Sequence, residues 1–323
     1  MKKLFALCLL LCLLVLPFAG CAEEPDTTGV RVAAMKGPTA VGFAKMMQDA
    51  SADDAAHDYD FSVYTAADEF TGRLLKGELD MAALPANVAA ALYARSEGAI
   101  RVLAVNTLGV VSIVEKGESV KSLSDLRGKK IYAVGAGGTP EYALTYLLSQ
   151  NGMTLADLTI EWRSAASEIL PLLKTEEGAI AMIPQPFVTA ACAQVEGLRV
   201  AVDLNAVWQG LDNGSAFVTG VLVARRAFVE EHPQVVKTFL EEYSASIAYA
   251  QEKVADTAAL LSQFGIFDLK QPVIEKALPK CNVTYLAGAD MKAALSGYLG
   301  TLYTCNPQAV GGKLPDDAFY YAG

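Results

Sequence analysis

Two stretches of this chain carry the same landmarks in the same order, about a hundred residues apart. A glycine-threonine loop comes first, Gly37-Pro38-Thr39 and again Gly138-Thr139-Pro140. An aromatic then closes a strand-like run, Tyr64 and Trp162. Leu74-Leu75-Lys76 is echoed by Leu172-Leu173-Lys174, and Pro85-Ala86-Asn87 by Pro184-Gln185-Pro186. Gly37 to Gly138 is 101 residues, Tyr64 to Trp162 is 98 and Pro85 to Pro184 is 99. A doublet has too few copies for a solenoid, so it predicts two similar units.

Each unit reads as alternating strand and helix. Val30–Met35, Tyr59–Tyr64 and Met81–Leu84 have strand character. Helical stretches cover Ala40 to Gln48, Asp68 to Lys76 and Pro85 to Tyr93. In the second unit, strands at Ile131–Val134, Leu158–Trp162 and Ala179–Ile183 alternate with helices from Glu141, Ser167 and Pro184. That alternation predicts an α/β protein with parallel sheets and crossover helices. Gly220–Ala224 reads as one more buried strand, and His232-Pro233 opens a long amphipathic helix. The helix-rich end is expected to pack back on the first unit. This predicts a discontinuous lobe, 30–106 with 221–323, and an inserted lobe, 110–215, joined by two chain crossings that act as a hinge.

The N-terminus constrains location. Met1-Lys2-Lys3, an apolar run Leu4–Leu16 and small residues before Cys21 read as a signal peptide, 1–20, too short to span a membrane. Ala19-Gly20-Cys21 resembles a bacterial lipobox, in which the cysteine is acylated; the alternative is an ordinary cleavage site beside an incidental cysteine. Residues 21–29 are then a polar tether. Removing 1–20 leaves 323 − 20 = 303 residues with 24 basic and 36 acidic side chains, a net charge of −12. That balance disfavours nucleic acid and anionic lipid as partners. Cys192, Cys281 and Cys305 remain in the folded part, either as free buried thiols or with Cys281 paired to Cys305.

Parallel sheets bind ligands beyond the carboxyl ends of their strands, where helix N-termini begin. The residues so placed are Gly37, Pro38 and Thr39, Pro85 and Asn87, Gly138 and Thr139, and Gln185, with Asn106 at the crossing between lobes. Tyr64 and Trp162 end equivalent strands; they either sandwich a flat ligand or cover the core. Arg163 is the cation nearest the expected cleft. Each loop is also explicable as a good helix cap, and only their symmetry argues for a ligand held between them.

Support for catalysis is thin. His57 and His232 are the only histidines, and neither is placed like a general base. There is no G-x-S-x-G, P-loop or metal-ligand box, and Gly135-Ala136-Gly137-Gly138 lacks the third glycine of a dinucleotide turn. No cofactor or metal is expected.

Val32-Ala33-Ala34-Met35-Lys36-Gly37-Pro38-Thr39 and Ser124-Asp125-Leu126-Arg127-Gly128-Lys129-Lys130-Ile131, with the Lys76-Gly77-Glu78-Leu79-Asp80 turn and the His232-Pro233 helix, resemble bacterial ABC-transporter substrate-binding proteins. The nearest branch is the nitrate/sulfonate/taurine and thiamine-pyrimidine group. The resemblance implies a type II periplasmic-binding-protein fold: two α/β lobes with mostly parallel sheets, a hinge and an interlobe cleft. It implies a monomeric lipoprotein on the outer face of the cell membrane that delivers a small solute to a permease and its ATPase. The rival readings are a lipoprotein enzyme using the same cleft and a ligand sensor without transport.

Overall fold

A computed structural model describes residue 26 and residues 28–323. The signal segment, Cys21 and most of the tether lie outside the described residues.

The chain runs β1 (Val30–Met35), a 3-10 turn (Pro38–Phe43), α1 (Ala44–Ser51), β2 (Tyr59–Tyr64), α2 (Asp68–Leu75), β3 (Met81–Pro85), α3 (Ala86–Arg95) and β4 (Ile100–Leu108). It continues through β5 (Val111–Lys116), β6 (Lys130–Val134), α4 (Thr139–Ser149), β7 (Thr159–Arg163), α5 (Ala166–Thr175), β8 (Ile180–Pro184), α6 (Phe187–Gln194), β9 (Leu198–Asp203) and α7 (Leu204–Gln209). The last part is β10 (Val218–Arg225), α8 (Arg226–Glu231), α9 (Pro233–Glu252), α10 (Val254–Gln263), α11 (Gln271–Ala277), β11 (Val283–Leu286) and α12 (Gly288–Cys305).

These strands form two sheets, β11-β4-β10-β3-β1-β2 and β7-β6-β8-β5-β9. The doublet is visible in the order: β2-β1-β3 in one sheet, β7-β6-β8 in the other, each followed by an antiparallel strand. The apolar runs explain the central strands. Met81 to Leu84 are all buried, because helices cover both faces and no alternation is required.

The expectation of mostly parallel sheets needs correcting. β1–β2, β1–β3, β6–β7 and β6–β8 are parallel, whereas β10 runs antiparallel to β3 and β4, β11 to β4, and β5 to β8 and β9. The reason is topological. β5 enters the second sheet from β4 of the first, and β10 re-enters the first from β9 of the second, past α7. Neither is joined to its neighbours in its own sheet by the crossover helix that parallel neighbours need. The helix expected from Ala40 also begins as the 3-10 turn and becomes α-helical only at Ala44.

The chain leaves the first sheet after Leu108, enters the second at Val111, and returns between Asp203 and Val218. Gly109 sits in the first passage. A Cβ there would stand 2.4 Å from the Phe217 ring in the second passage, so only glycine lets the two run side by side.

Helices α1, α9 and α10 cover one face of the first sheet around Phe43, Phe239 and Tyr243. Helices α5 and α6 cover one face of the second around Ile169, Leu173 and Val188. A third apolar cluster is continuous across both sheets and includes Ala33, Val105, Ile113, Met182 and Leu299. At its centre Trp208 stacks on Phe217 at 5.2 Å and meets Tyr146 at 4.8 Å and Tyr298 at 5.5 Å. The C-terminal region is therefore not confined to the first sheet: α12 also touches α4, and α11 touches α6.

The ends of β1 and β3 away from the Gly37 loop are tied by Asp80, which is only 2% exposed. It accepts from Arg31 Nε at 2.8 Å and from Arg225 Nη2 at 2.8 Å. Burial alone would raise its pKa, but the hydrogen bonds from Arg31 and Arg225 outweigh that and hold it below the usual carboxylate value. Cys192, Cys281 and Cys305 are free, so the alternative pairing of Cys281 with Cys305 is not formed. Only Cys281 is fully buried, and burial pushes its thiol up to about 12. No helix among the described residues is long and apolar enough to cross a membrane.

Candidate functional site

A cavity of about 290 Å³ opens where the two sheets face each other. The first sheet contributes Met35–Thr39 at the end of β1, Pro85 at the end of β3, Thr107 on β4 and Thr219 on β10. The segment Ile266–Leu269, between α10 and α11, closes the same side. From the second sheet come Val110, Val111, Thr139, Pro140 and Pro184–Phe187.

The two glycine-threonine loops thus open onto one space, as their sequence symmetry predicts. Six expected residues line it: Gly37, Pro38, Thr39, Pro85, Thr139 and Gln185. Asn87 lies behind the wall, its Oδ1 accepting from the Thr139 hydroxyl at 2.8 Å. Asn106 lies beneath the floor, 1% exposed, donating through Nδ2 to the Thr39 carbonyl at 3.1 Å and to the Tyr243 hydroxyl at 3.0 Å. Gly138 precedes α4 but does not reach the cavity surface.

Tyr64 and Trp162 do not line the cavity. Strand order is the reason: β2 and β7 are edge strands, each outside β1 or β6, and the cavity opens at the inner strands. Tyr64 instead packs on Phe70 at 5.3 Å, with its hydroxyl bonded to Arg73. Trp162 packs half-buried on the shared apolar cluster. Arg163 also turns away, donating to Glu161 at 2.7 Å and covering the Tyr132 ring. The cation that does reach the mouth is Lys36, and it pairs with Asp268 at 3.1 Å.

The wall at Ile266–Leu269 was not legible from sequence, since no local motif marks it and its place follows from packing: Ile266 and Phe267 are buried beside the first sheet's helices. Thr107 and Thr219 were signalled only indirectly, by lying next to Asn106 and Gly220. Neither histidine lines the cavity; His232 Nδ1 lies 2.8 Å from the carboxylate of Asp26.

Within the cavity wall, Gln185 is 5% exposed. Its Oε1 accepts from the Thr189 backbone N–H at 3.3 Å and from the Thr189 hydroxyl at 2.9 Å. Its own backbone N–H donates to the Val110 carbonyl at 2.8 Å, fixing the β8–α6 turn against the passage between β4 and β5.

Residues 76–255 match the model of the NMT1/THI5-like family, which is more than half of the chain. The protein belongs to that family. This NMT1/THI5-like chain is similar in fold to a crystal structure described as an ABC transporter from Parabacteroides distasonis, with a TM-score of 0.74, 24% identity, and coverage of 92% of this chain and 99% of that one. It is also similar to the periplasmic aliphatic sulphonate binding protein SsuA of Escherichia coli, with a TM-score of 0.72, 18% identity and coverage of 91% and 92%. The fold of this family member is thus that of periplasmic binding proteins. Among curated sequences, a Brucella abortus protein named as a binding protein is 27% identical over 150 residues, 46% of this chain and 45% of that one. The chain spans about half the length of the curated relatives it matches.

Proposed function

We propose that this protein is the solute-binding component of an ABC importer, held outside the cell membrane by lipid on Cys21. The two lobes are 30–106 with 221–323, and 110–215. The observation that carries the reading is the cavity itself, whose wall is shared by both sheets. A solute seated there touches both lobes, so it binds the closed arrangement better than an open one and shifts the population toward it. The closed form then docks on a permease served by an ATPase. The passages at Gly109-Val110 and between Asp203 and Val218 act as the hinge.

Binding without chemistry is the reading favoured here over a lipoprotein enzyme, because the cavity wall carries neither histidine nor cysteine. The binding-protein fold supports it, as do the relatives named for binding. A thermal-shift screen of small solutes, repeated by native mass spectrometry, tests the proposal. A true ligand at a hundred times its Kd stabilises the protein by about 2.7 kcal/mol. A blank across chemically varied solutes would count against solute binding, and a solute consumed on incubation would favour the enzyme.

A further inference from the structure

The polar groups of the cavity are arranged against an anion. Five prolines face it: Pro38, Pro85, Pro140, Pro184 and Pro186. Pro38 and Pro140 stand in the first turn of their helices, and Pro85 and Pro186 stand just before α3 and α6. Helix N-termini hold oxyanions through free backbone N–H groups, and proline has none. Pro38 and Pro140 each remove one N–H from a first turn, whereas Pro85 and Pro186 precede their helices and remove none of the following donors, so the case against an anion rests on the side chains.

The threonine hydroxyls are also committed. Thr39 donates to the Met35 carbonyl at 3.3 Å, Thr107 to Asn106 Oδ1 at 2.9 Å, Thr139 to Asn87 Oδ1 at 2.8 Å and Thr219 to the Leu108 carbonyl at 2.7 Å. Each has one proton and has spent it on protein, leaving only lone pairs for a ligand. The charged lining residues, Lys36 and Asp268, neutralise each other. A desolvated oxyanion would gain little from these side chains to offset its lost hydration.

Gln185 is the exception. A backbone N–H can only donate, so the Thr189 N–H fixes Oε1 toward α6 and leaves Nε2 as the free end. Among the described residues no protein group accepts from Nε2. Nε2 keeps solvent contact on the cavity wall, so it is available to an acceptor there. We infer that the cavity takes an uncharged, largely apolar small molecule bearing a carbonyl-type acceptor for Gln185 Nε2, and that it disfavours oxyanions. This rests on the solute-binding reading above.

Three probes with one ring and different heads test it: cyclohexanecarboxamide, cyclohexanecarboxylate and cyclohexanesulfonate, titrated calorimetrically into the full chain at pH 8. The carboxamide should bind at least about ten-fold tighter than either anion. Gln185→Met removes the donor. Gln185→Glu removes it while keeping an acceptor for Thr189, so the α6 turn stays capped. Both should weaken the carboxamide about five- to ten-fold, the loss of one hydrogen bond.

Tightest binding of the sulfonate, lost in Lys36→Met, overturns the ligand class while leaving solute binding intact. Unchanged carboxamide affinity in both Gln185 variants overturns it too, as does no carboxamide binding up to about 10 mM. A blank across the wider solute screen instead removes the solute-binding reading.

Discussion

The Thr139 hydroxyl donates to Asn87 Oδ1 across 2.8 Å, and both side chains are buried. Thr139 begins α4 beside the second sheet, and Asn87 lies in the first turn of α3 beside the first. This one bond therefore joins the two sheets at the cavity wall. It changes what a substitution there should do. A role in ligand contact alone would have Thr139→Ala weaken binding and spare the free protein. With the hydroxyl already spent on Asn87, the free protein must feel the loss as well.

Thr139→Val keeps the shape and leaves Asn87 Oδ1 buried without its donor. The expected cost is about 1–3 kcal/mol of stability in urea denaturation of the ligand-free protein. An unchanged midpoint would falsify the bond as a structural tie between the two sheets.

Asp80→Asn tests the arginine clamp. The folded-state pKa of Asp80 is held below its unfolded value, so its contribution is present above the unfolded pKa and fades as pH falls through the folded one. At neutral pH the variant should lose about 3 kcal/mol, because Arg31 and Arg225 lose the charge they share. The gap between variant and parent should narrow in acid, below an unfolded pKa of about 3.9. A gap that stays constant from pH 7 into acid excludes the clamp as its source.

Gly220→Ala probes the floor. A Cβ there would lie 2.4 Å from Thr39 Cγ2 and 2.5 Å from Asn106 Oδ1, so the β1 loop or the Asn106 network has to shift. Overpacking of this kind costs about 1–3 kcal/mol. Because Thr39 lines the cavity, ligand affinity should fall alongside stability, as calorimetry and urea titration of one preparation can compare.

Tyr64→Leu and Trp162→Leu separate the edge-strand aromatics from the cavity. Both residues pack on the core away from the cavity wall. Stability should drop by about 1–3 kcal/mol while ligand affinity holds within about two-fold. A large affinity loss at either position, without a matching stability loss, would return the aromatic sandwich to consideration.

Cys21→Ser tests the proposed anchor. Cells fed a palmitate analogue should label the parent protein and not the variant. Labelling that persists would remove the lipid from the proposal.

Local sequence determined seven of the eleven strands among the described residues; β4, β5, β9 and β11 were not read from it. Short apolar runs bounded by turn residues, such as Met81–Leu84, read as strands buried on both faces, and glycine, threonine and proline at strand ends mark where helices begin. The doublet carried more, because like segments fold alike: it announced two units in which Gly37–Thr39 and Thr139 play matching parts. Strand order was decided only in three dimensions. Side-chain period reveals a strand and its faces but not its neighbours, so β2 and β7 could fall at the edges and take Tyr64 and Trp162 away from the cavity. The antiparallel entry of β5 and β10 escaped for the same reason, since pairing is set by contacts far apart in the chain. Ile266–Leu269 reaches the cavity because the apolar surface of α10 and its neighbours must be buried, and Gln185 Nε2 is left free because Thr189 claims Oε1. Such facts belong to packing between distant segments, where free energy depends on partners that a residue's own neighbours along the chain do not name.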